Sequence, residues 1–222
     1  MKITISKENY LKAIAEAEAE GEQVIAATLA RWLDVTPPAV TMALRRLKRD
    51  GFIQVQAKDG RITLLAEGRK IAERLLYRHH LIERMLAEMF GMEWFRVHDE
   101  AEQLEHAVSE EFERLLSARL GSEGLCPHGN PLGLDSPQAR RSRGWQPMFE
   151  MQPGSSGQVV SIFERDRQLL EYLNDLGIRP GAAFVVKARY YDDTIGLNLD
   201  GRTVQLGRKA AERIWAQPAT EH

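Results

Sequence analysis

The chain has 222 residues, of which 43% are hydrophobic and 28% charged, with a formal net charge of −2. This length suits two or three small domains, and the composition excludes a wholly disordered or collagen-like chain. No apolar run approaches the ~18 residues of a membrane-spanning helix, residues 1–10 lack the apolar core of a signal peptide, and the single Cys126 cannot form an intrachain disulfide. We therefore expect a cytoplasmic protein with no membrane partner.

Elements at the start of the chain predict a winged helix-turn-helix. Three helices come first, and the third has Thr36 as its N-cap and Pro37 at its first helical position. Two alternating strands follow, joined by Lys58-Asp59-Gly60, a sequence typical of hairpin turns. The predicted helices cover residues 7–20, 24–33 and 36–50, and the predicted strands cover residues 52–56 and 61–65.

The third helix of such a fold enters the major groove of double-stranded DNA. Thr41 is placed to reach base edges, while Pro38 and Ala39 can touch thymine methyl groups. Residues 31–70 carry nine Lys or Arg against four Asp or Glu, and phosphates attract such charges. These residues could instead solvate an exposed face, or the winged fold could bind a protein, so the order of elements is the stronger argument. The expected DNA-binding residues are Thr36, Pro37, Pro38, Ala39, Thr41, Met42, Arg45, Arg46, Lys48, Arg49, Lys58 and Arg61.

Two long helices are predicted next, over residues 67–90 and 97–120, and their apolar residues exceed the needs of one small domain. The excess predicts a subunit interface. Residues 121–157, rich in Gly, Pro, Ser and Arg, are typical of a connector, and short strands from residue 158 onward predict a small β-barrel. The fold class is therefore mainly α with a small β part.

Residue types that bind metals concentrate between residues 79 and 128, which hold five of the six histidines and the cysteine. Glu102, Glu105 and His106 stand at i, i+3 and i+4, so one helix face would present two carboxylates and an imidazole. His98 lies one turn earlier. Carboxylate and imidazole without thiolate suit Mn²⁺ or Fe²⁺ better than a structural zinc.

Two further pairs extend this constellation. His79 and Glu83 are four residues apart on the preceding helix, and Cys126 and His128 are close enough on a loop to reach one ion. The alternative is a solvent-facing acidic helix with incidental histidines. Residues 98–113 carry seven acidic residues and no Lys or Arg, and such unopposed charge is more easily understood if a cation binds it. Common catalytic motifs are missing from the sequence, which argues against an enzyme.

Five segments, taken in order, resemble the diphtheria-toxin-repressor family. They are ENYLKAI, RLKRDGFI, RHHLIERML, VHDEAEQLEHAVSEE and CPHGNP. The resemblance covers nearly the whole chain and makes the C-terminal barrel similar to the SH3-like (FeoA-like) domain of longer members. It implies a homodimeric transcriptional repressor that binds palindromic operators when loaded with Fe²⁺ or Mn²⁺ and silences metal-uptake genes. The expected domains are 1–70 (winged helix-turn-helix), 71–140 (helical, metal-binding and dimerising), 141–156 (linker) and 157–222 (SH3-like).

The resemblance also implies a primary metal site formed by Glu102, Glu105 and His106, with Asn9 from the first helix and His79. Iron-type members have cysteine where this chain has Glu102, and manganese-type members have a carboxylate, which favours Mn²⁺ over Fe²⁺. Asn9 departs from the family, because manganese-type members have aspartate there and iron-type members methionine. The departure removes one negative charge from the site.

A second site is implied at Glu83, Cys126 and His128, completed by an acid of the barrel. Asp166 is the expected acid, with Glu164 next. Iron-type members use His79, Glu83 and His98 there instead, so His98 stays a candidate. Two other functions stay open at this point: a metallohydrolase or oxygenase using the same carboxylate–histidine face, and a metal-independent regulator with this fold.

Overall fold

The N-terminal part of the computed structural model, which describes residues 3–219, is a three-helix unit with a two-stranded wing. Leu11, Ile14, Leu29, Val40 and Leu47 are buried at its centre. The strands pair antiparallel through their three residues. The predicted winged helix-turn-helix is confirmed. Its elements are α1 (Ile5–Ala19), α2 (Ala26–Trp32), α3 (Pro37–Arg49), β1 (Ile53–Val55) and β2 (Ile62–Leu64).

Helix α3 is delimited by local signals. Thr36 is its N-cap with extended backbone, and Pro37 takes the first helical position, where the missing N–H costs nothing. Asp50 is the C-cap, and Gly51 follows with φ +76°, a left-handed conformation that glycine adopts without strain. The apolar face of α3 therefore packs inward and its basic face is left to solvent.

The helical part of the molecule differs from the prediction at one helix. Residues 97–120 form two helices rather than one, because Ser109 starts a new helix by accepting a hydrogen bond from the Phe112 backbone N–H. Glu110, Glu111 and Glu113 lie in the first turn of that helix, where the helix dipole favours negative charge. These acids thus have a structural role. The elements are α4 (Ala66–Arg84), a π-helical segment Met85–Met89, α5 (Val97–Leu104), α6 (Glu110–Leu120) and α7 (Pro137–Ser142).

The C-terminal part is a six-stranded antiparallel sheet with strand order β3-β8-β4-β5-β6-β7. The structure departs from the expected linker over residues 141–156. Gln146 in that segment pairs with Ala216, and Met148 and Met151 are buried in the core of the sheet, so the apolar residues draw the segment into the fold. The elements are β3 (Gln146–Pro147), a 3₁₀ turn Met148–Glu150, β4 (Ser156–Ile162), α8 (Arg167–Leu176), β5 (Ala183–Arg189), β6 (Ile195–Leu199), β7 (Arg202–Leu206), α9 (Arg208–Ala211) and β8 (Ile214–Pro218).

Across residues 3–219, none of the helices combines the length and the apolar character that crossing a bilayer requires. Residues 1–2 of the expected winged helix-turn-helix domain and residues 220–222 of the expected SH3-like domain lie outside the described residues.

Candidate metal centre and nucleic-acid interface

A cluster of imidazole, carboxylate and thiol groups lies buried where the helical part meets the C-terminal sheet. Helix α4 supplies two of its side chains, α5 supplies one, the loop after α6 supplies two, and the segment that follows β4 supplies one. Every member is at most 7% exposed. The cluster consists of His79, Glu83, His98, Cys126, His128 and Glu164.

Backbone contacts position the loop that carries two of these groups. The Cys126 N–H donates to the Asn130 carbonyl (2.7 Å), and the Ile162 N–H of β4 donates to the His128 carbonyl (2.9 Å). Gly129, which lies between His128 and Asn130, has φ +83°, and a Cβ there would lie 1.8 Å from the Val160 carbonyl oxygen. Only glycine fits this approach, so the CPHG sequence docks the loop directly on the sheet.

Three donor atoms converge on one side of the cluster. His79 Nε2 lies 3.0 Å from Glu83 Oε1 and 3.0 Å from His98 Nδ1, and the last two atoms are 3.2 Å apart. The other ring nitrogen of His79 lies 2.7 Å from Glu105 Oε2. A histidine that donates from Nδ1 to a carboxylate has its Nε2 lone pair free, which is the usual arrangement of a metal-binding histidine.

Four donors meet on the other side. His128 Nδ1 lies 3.3 Å from Glu83 Oε2, 3.6 Å from Glu164 Oε2 and 3.8 Å from Cys126 Sγ. Cys126 Sγ is 3.7 Å from Glu164 Oε2. The expected acid therefore has to be corrected from Asp166 to Glu164, because Asp166 is exposed and its side chain caps α8 by accepting from the Leu169 N–H. The helix start at residue 167 takes Asp166 away from the cluster.

The expected primary site is only partly assembled. His106 Nε2 lies 2.6 Å from Asn9 Oδ1 and 3.4 Å from Glu105 Oε1, and His106 Nδ1 lies 3.0 Å from Glu8 Oε2. Helix α5 ends at Leu104, so the helical face proposed for Glu102, Glu105 and His106 does not form. The turn after α5 nevertheless directs His106 toward α1. Glu8 is a neighbour that the sequence analysis missed.

Glu102 lines one cavity with Asn9 and Glu105, where internal positive charges contact its carboxylate. Its Oε1 lies 3.1 Å from Arg165 Nη1, 3.8 Å from Lys12 Nζ and 3.6 Å from His98 Nε2. The Lys12 ammonium is buried and donates to Glu105 Oε2 at 2.7 Å. Neither basic residue was predicted; the only available signal is a lysine on the apolar side of α1, four residues before Glu16.

These charges shift the ionisation of the site. Burial acts to lower the pKa of Lys12, but Glu16, Glu105 and Glu102 raise it above its ordinary value, so the ammonium is charged. Burial acts to raise the pKa of Glu102, but His98, Lys12 and Arg165 lower it well below its usual range.

The buried cluster is polarised in the same way. Burial acts to raise the pKa of Glu83, but His128 and His79 lower it well below its usual range. Burial, together with Glu83 and Glu164, raises the pKa of Cys126 well above its ordinary value. Burial acts to lower the pKa of His98, but its contacts with Glu102 and Glu83 raise it to about 10.

The donor set and its spacing fit divalent cations. Ligand atoms about 2.1 Å from an ion lie about 3.0 Å apart at octahedral angles and about 3.4 Å apart at tetrahedral angles. The donors around Glu83 Oε1 match the first spacing, and those around Glu83 Oε2 are close to the second. At the primary set, the Asn9, Glu105 and His106 donors also converge, beside carboxylates that Lys12 neutralises.

The expected DNA-binding residues are all exposed. Thr36, Pro37, Pro38, Ala39, Thr41, Met42, Arg45, Arg46, Lys48 and Arg49 of α3 and its N-cap are exposed, as are Lys58 and Arg61 of the wing. The Thr41 hydroxyl donates to the Pro37 carbonyl (3.0 Å), and Arg49 Nε lies 3.1 Å from Asp50 Oδ1. Within residues 3–219, Arg45, Arg46 and Lys48 have no acidic partner, so their charge is available to phosphates.

Models of known protein families match the N-terminal, the helical and the C-terminal parts of the chain. Family models match at residues 2–60 (iron dependent repressor, N-terminal DNA binding domain), 66–132 (iron dependent repressor, metal binding and dimerisation domain) and 146–218 (FeoA domain). The diphtheria toxin repressor of Corynebacterium diphtheriae is 32% identical over 208 residues, which are 90% of this chain and 91% of the relative. The chain belongs to the diphtheria-toxin-repressor family.

Other members of this family agree. The iron-dependent repressor IdeR of Mycobacterium tuberculosis is 32% identical over 191 residues, which cover 81% of this chain and 83% of that protein. A solved manganese-dependent transcriptional repressor in complex with manganese superimposes with a TM-score of 0.85 at 32% identity, over 96% of this chain and all of the other. The family consists of transcriptional repressors rather than enzymes, and this member is a metal-dependent, DNA-binding repressor with a dimerisation domain. The enzyme and metal-independent alternatives are thereby set aside.

Proposed function

We propose that this repressor senses Mn²⁺ and, with metal bound, silences metal-uptake genes by binding a palindromic operator. The observation that carries the metal assignment is Glu102, a carboxylate beside Glu105 at the position where iron-type members have cysteine. The other donors near α1, Asn9 and His106, also offer oxygen and imidazole ligands, which suit Mn²⁺. Because the target is chromosomal DNA, the repressor acts in the cytoplasm.

Metal dependence of DNA binding is expected to act through α1. This helix carries Asn9, which meets His106 of the helical domain. Two residues earlier, Lys7 forms an ion pair (2.7 Å) with Asp50, the C-cap of α3. Asn9 of α1 and His106 of the helical domain would hold the cation, which would supply a divalent charge between the two elements. Holding α1 therefore holds α3, and the population shifts toward the form that fits DNA.

Two side chains oppose this shift. Lys12 and Arg165 neutralise Glu102 and Glu105 by direct ion pairs. Arg165 also pairs with Glu16 (2.7 Å) of α1, so the C-terminal domain contacts the DNA-binding domain at the metal-binding carboxylates. Any cation that uses Glu102 competes with these internal charges, which sets the metal concentration at which the repressor responds.

A palindromic operator follows from two-fold symmetry. Large apolar side chains are exposed on the helical domain at Met89, Phe90, Phe112 and Leu115. Pairing of this surface with a second copy would place two α3 helices at symmetric half-sites, one or more helical turns of DNA apart. The homodimer and the operator symmetry are therefore two aspects of one arrangement.

Fe²⁺ is the second candidate metal. Cys126 adds a thiolate to the imidazoles of the buried cluster, which makes this region softer than the primary set. Relatives such as IdeR are iron-dependent by name, whereas several similar solved structures are named for manganese.

Selection of genomic DNA fragments decides between these metals. Chelator-stripped full-length protein would be incubated with fragments without metal, with Mn²⁺, and with Fe²⁺ under anaerobic conditions. We expect one palindromic sequence to be enriched with Mn²⁺ and not without metal. Stronger enrichment with Fe²⁺ would reassign the metal, and equal enrichment in all three samples would refute metal sensing.

A further inference from the structure

We propose that Arg78 is a positioning residue that holds the turn between α5 and α6 in place. This turn, residues 105–109, carries Glu105 and His106, two donors of the expected primary metal site. The inference rests on the proposed metal sensing and extends it, because it assigns a role in metal binding to a side chain that is not itself a ligand.

The end of α5 leaves one carbonyl that Arg78 satisfies. The Leu104 carbonyl accepts from the N–H groups of Ala107 (2.9 Å) and Val108 (3.2 Å). Among residues 3–219, no backbone N–H donates to the carbonyl of Glu105, the C-cap of α5, and Arg78 Nη1 donates to it at 3.1 Å. A positive charge at this place also complements the negative end of the helix dipole. Arg78 therefore caps α5 from the neighbouring helix α4.

The same guanidinium contacts the start of α6. Arg78 Nε donates to Glu113 Oε2 at 2.6 Å, and the Glu113 N–H donates to the carbonyl of Ser109, the N-cap of α6, at 2.9 Å. The Arg78 and Glu113 side chains are only 14% and 15% exposed, so this ion pair is largely shielded from water. Hydrogen bonds between charged groups are stronger than those between neutral groups. One side chain of α4 thus connects both ends of the turn.

Helix α4 holds Glu105 from two sides through adjacent residues. His79 Nδ1 lies 2.7 Å from the Glu105 carboxylate, and Arg78 donates to the carbonyl of the same residue. The side chain and the backbone of Glu105 are then both fixed relative to α4, which sets the direction of the next residue. That residue is His106, whose Nε2 lies 2.6 Å from Asn9 Oδ1 of α1. The contact between the helical domain and α1 therefore depends on Arg78.

These two contacts require the shape of a guanidinium as well as its charge. Nε and Nη1 are donors of one rigid planar group, so they hold the Glu113 carboxylate and the Glu105 carbonyl at a fixed relative position. A lysine ammonium is a compact charge on a flexible stem and does not fix two partners in this way. Arg74, one turn earlier on α4, pairs with Glu110 of α6 at 2.8 Å. Arg78 therefore adds to the pairing of α4 with α6 a direct contact with the backbone of the turn.

Hydrogen exchange and Mn²⁺ titration of full-length Arg78→Gln protein test this role. Without metal, the Ala107 and Val108 amides should exchange about tenfold faster than in wild type, because the turn loses hydrogen bonds to a charged group. Mn²⁺ at the primary site, defined as the equivalents that Glu102→Ala loses, should bind about tenfold more weakly, as when other groups that support a metal ligand are changed. The equivalents that Glu102→Ala retains are the internal reference and should keep their affinity.

Two further variants separate this role from general stability and from charge. Tyr77→Phe is the matched control, because it removes the hydrogen bond between the Tyr77 hydroxyl and Ser117 Oγ (2.7 Å), which joins α4 to the second half of α6. It should change neither the exchange of the turn nor the Mn²⁺ affinity. Arg78→Lys keeps the positive charge without the planar group, and its Mn²⁺ affinity at the primary site should remain below that of wild type.

Unchanged exchange of the two amides in Arg78→Gln, or full Mn²⁺ affinity in Arg78→Lys, would overturn the role of Arg78. An equal loss of affinity at the primary site and at the reference equivalents would also overturn it, since that result indicates a general structural defect. Operator binding by wild type separates the two proposals. Binding that depends on Mn²⁺, together with full Mn²⁺ affinity in Arg78→Gln, refutes only the role of Arg78. If Glu102→Ala loses no Mn²⁺, the primary-site assignment fails, and hydrogen exchange still decides whether Arg78 holds the turn.

Discussion

The two groups of metal-binding side chains differ in burial and in the charges that surround them. The cluster around Glu83 is shut between the helical domain and the C-terminal sheet, and its donors contact one another. In the group around Glu102, the Glu102 side chain is 41% exposed, and Lys12 and Arg165 neutralise its negative charge. A buried set of mutually facing donors is suited to hold a cation that stays, whereas a partly exposed carboxylate such as Glu102, paired with internal cations that can be displaced, is suited to a cation that comes and goes. We therefore assign the switch to the region beside α1 and domain docking to the buried cluster.

The largest expected effect comes from Glu102→Ala. If the region beside α1 is the switch, this change should weaken Mn²⁺-dependent operator binding by about 100-fold or more, because removing a group that only supports a metal ligand already costs about 10- to 100-fold. Thermal stabilisation by Mn²⁺ through the buried cluster should remain. Gel-shift titrations and thermal melts on one preparation would measure both. Glu100→Ala, exposed on the same helix, is the control, and an equal loss in that variant would remove the assignment of Glu102.

Lys12→Met tests whether the internal ammonium competes with metal. Without metal, the buried Glu105 loses its ammonium partner and keeps the contact with His79, so the loss of unfolding free energy should lie below the about 3–5 kcal/mol of a buried charge left wholly uncompensated. With that competitor gone, Mn²⁺ should bind about tenfold more tightly, a gain of about 1.4 kcal/mol. Denaturant unfolding in the presence of chelator would measure the loss of stability, and calorimetric titration would measure the Mn²⁺ affinity. Unchanged or weaker Mn²⁺ binding would contradict the competition, with the exposed Lys70→Met as the reference.

The buried cluster should also bind metal more tightly as pH rises. The pKa of Cys126 lies well above its ordinary value and the pKa of His98 is raised to about 10, so both groups are protonated near pH 7 in the metal-free protein. Binding has to release these protons, and the affinity therefore increases with pH as long as they are bound. We expect a several-fold gain per pH unit between pH 6 and 8, with a smaller gain in Cys126→Ser. Affinity that is constant or falls over this range would rule out these ligands.

The smallest effect is expected at the DNA surface, which lies apart from both metal groups. Arg46→Ala should weaken binding to all DNA sequences by a similar few-fold factor and reduce the slope of log affinity against log salt by about one. Lys209→Ala, on the C-terminal domain, should leave the slope unchanged. A loss confined to one base position of the operator would show that Arg46 contacts a base rather than a phosphate.

Local signals explain which parts of the molecule could be predicted. Thr36, Pro37 and Gly51 mark the two ends of α3, and each lies within two residues of the end that it marks. The hairpin turn at residues 58–60 joins two strands that are neighbours in the sequence. The break before α6 was also visible in principle, since Ser109 followed by acids is a typical helix start. A single helix over residues 97–120 is predicted nonetheless, because the apolar pattern continues through the break.

The metal region depends on contacts between distant segments. Asp166 and Glu164 stand two residues apart, and only the start of α8 decides that the first caps a helix while the second enters the cluster. Lys12 meets Glu105 across 93 residues, and Arg165 meets Glu16 across 149. No pattern along the chain encodes such pairs, which is why the types of metal-binding side chain could be predicted and the internal cations could not.

A reciprocal measurement tests whether metal binding and DNA binding are thermodynamically linked. The affinity of the wild-type protein for Mn²⁺ would be measured by titration with and without saturating operator DNA, and the affinity for operator with and without Mn²⁺. Thermodynamic linkage requires both ratios to be equal. We expect operator DNA to tighten Mn²⁺ binding by the same factor by which Mn²⁺ tightens operator binding, and Glu102→Ala to reduce both factors to about one. A Mn²⁺ affinity that operator DNA leaves unchanged would contradict this linkage.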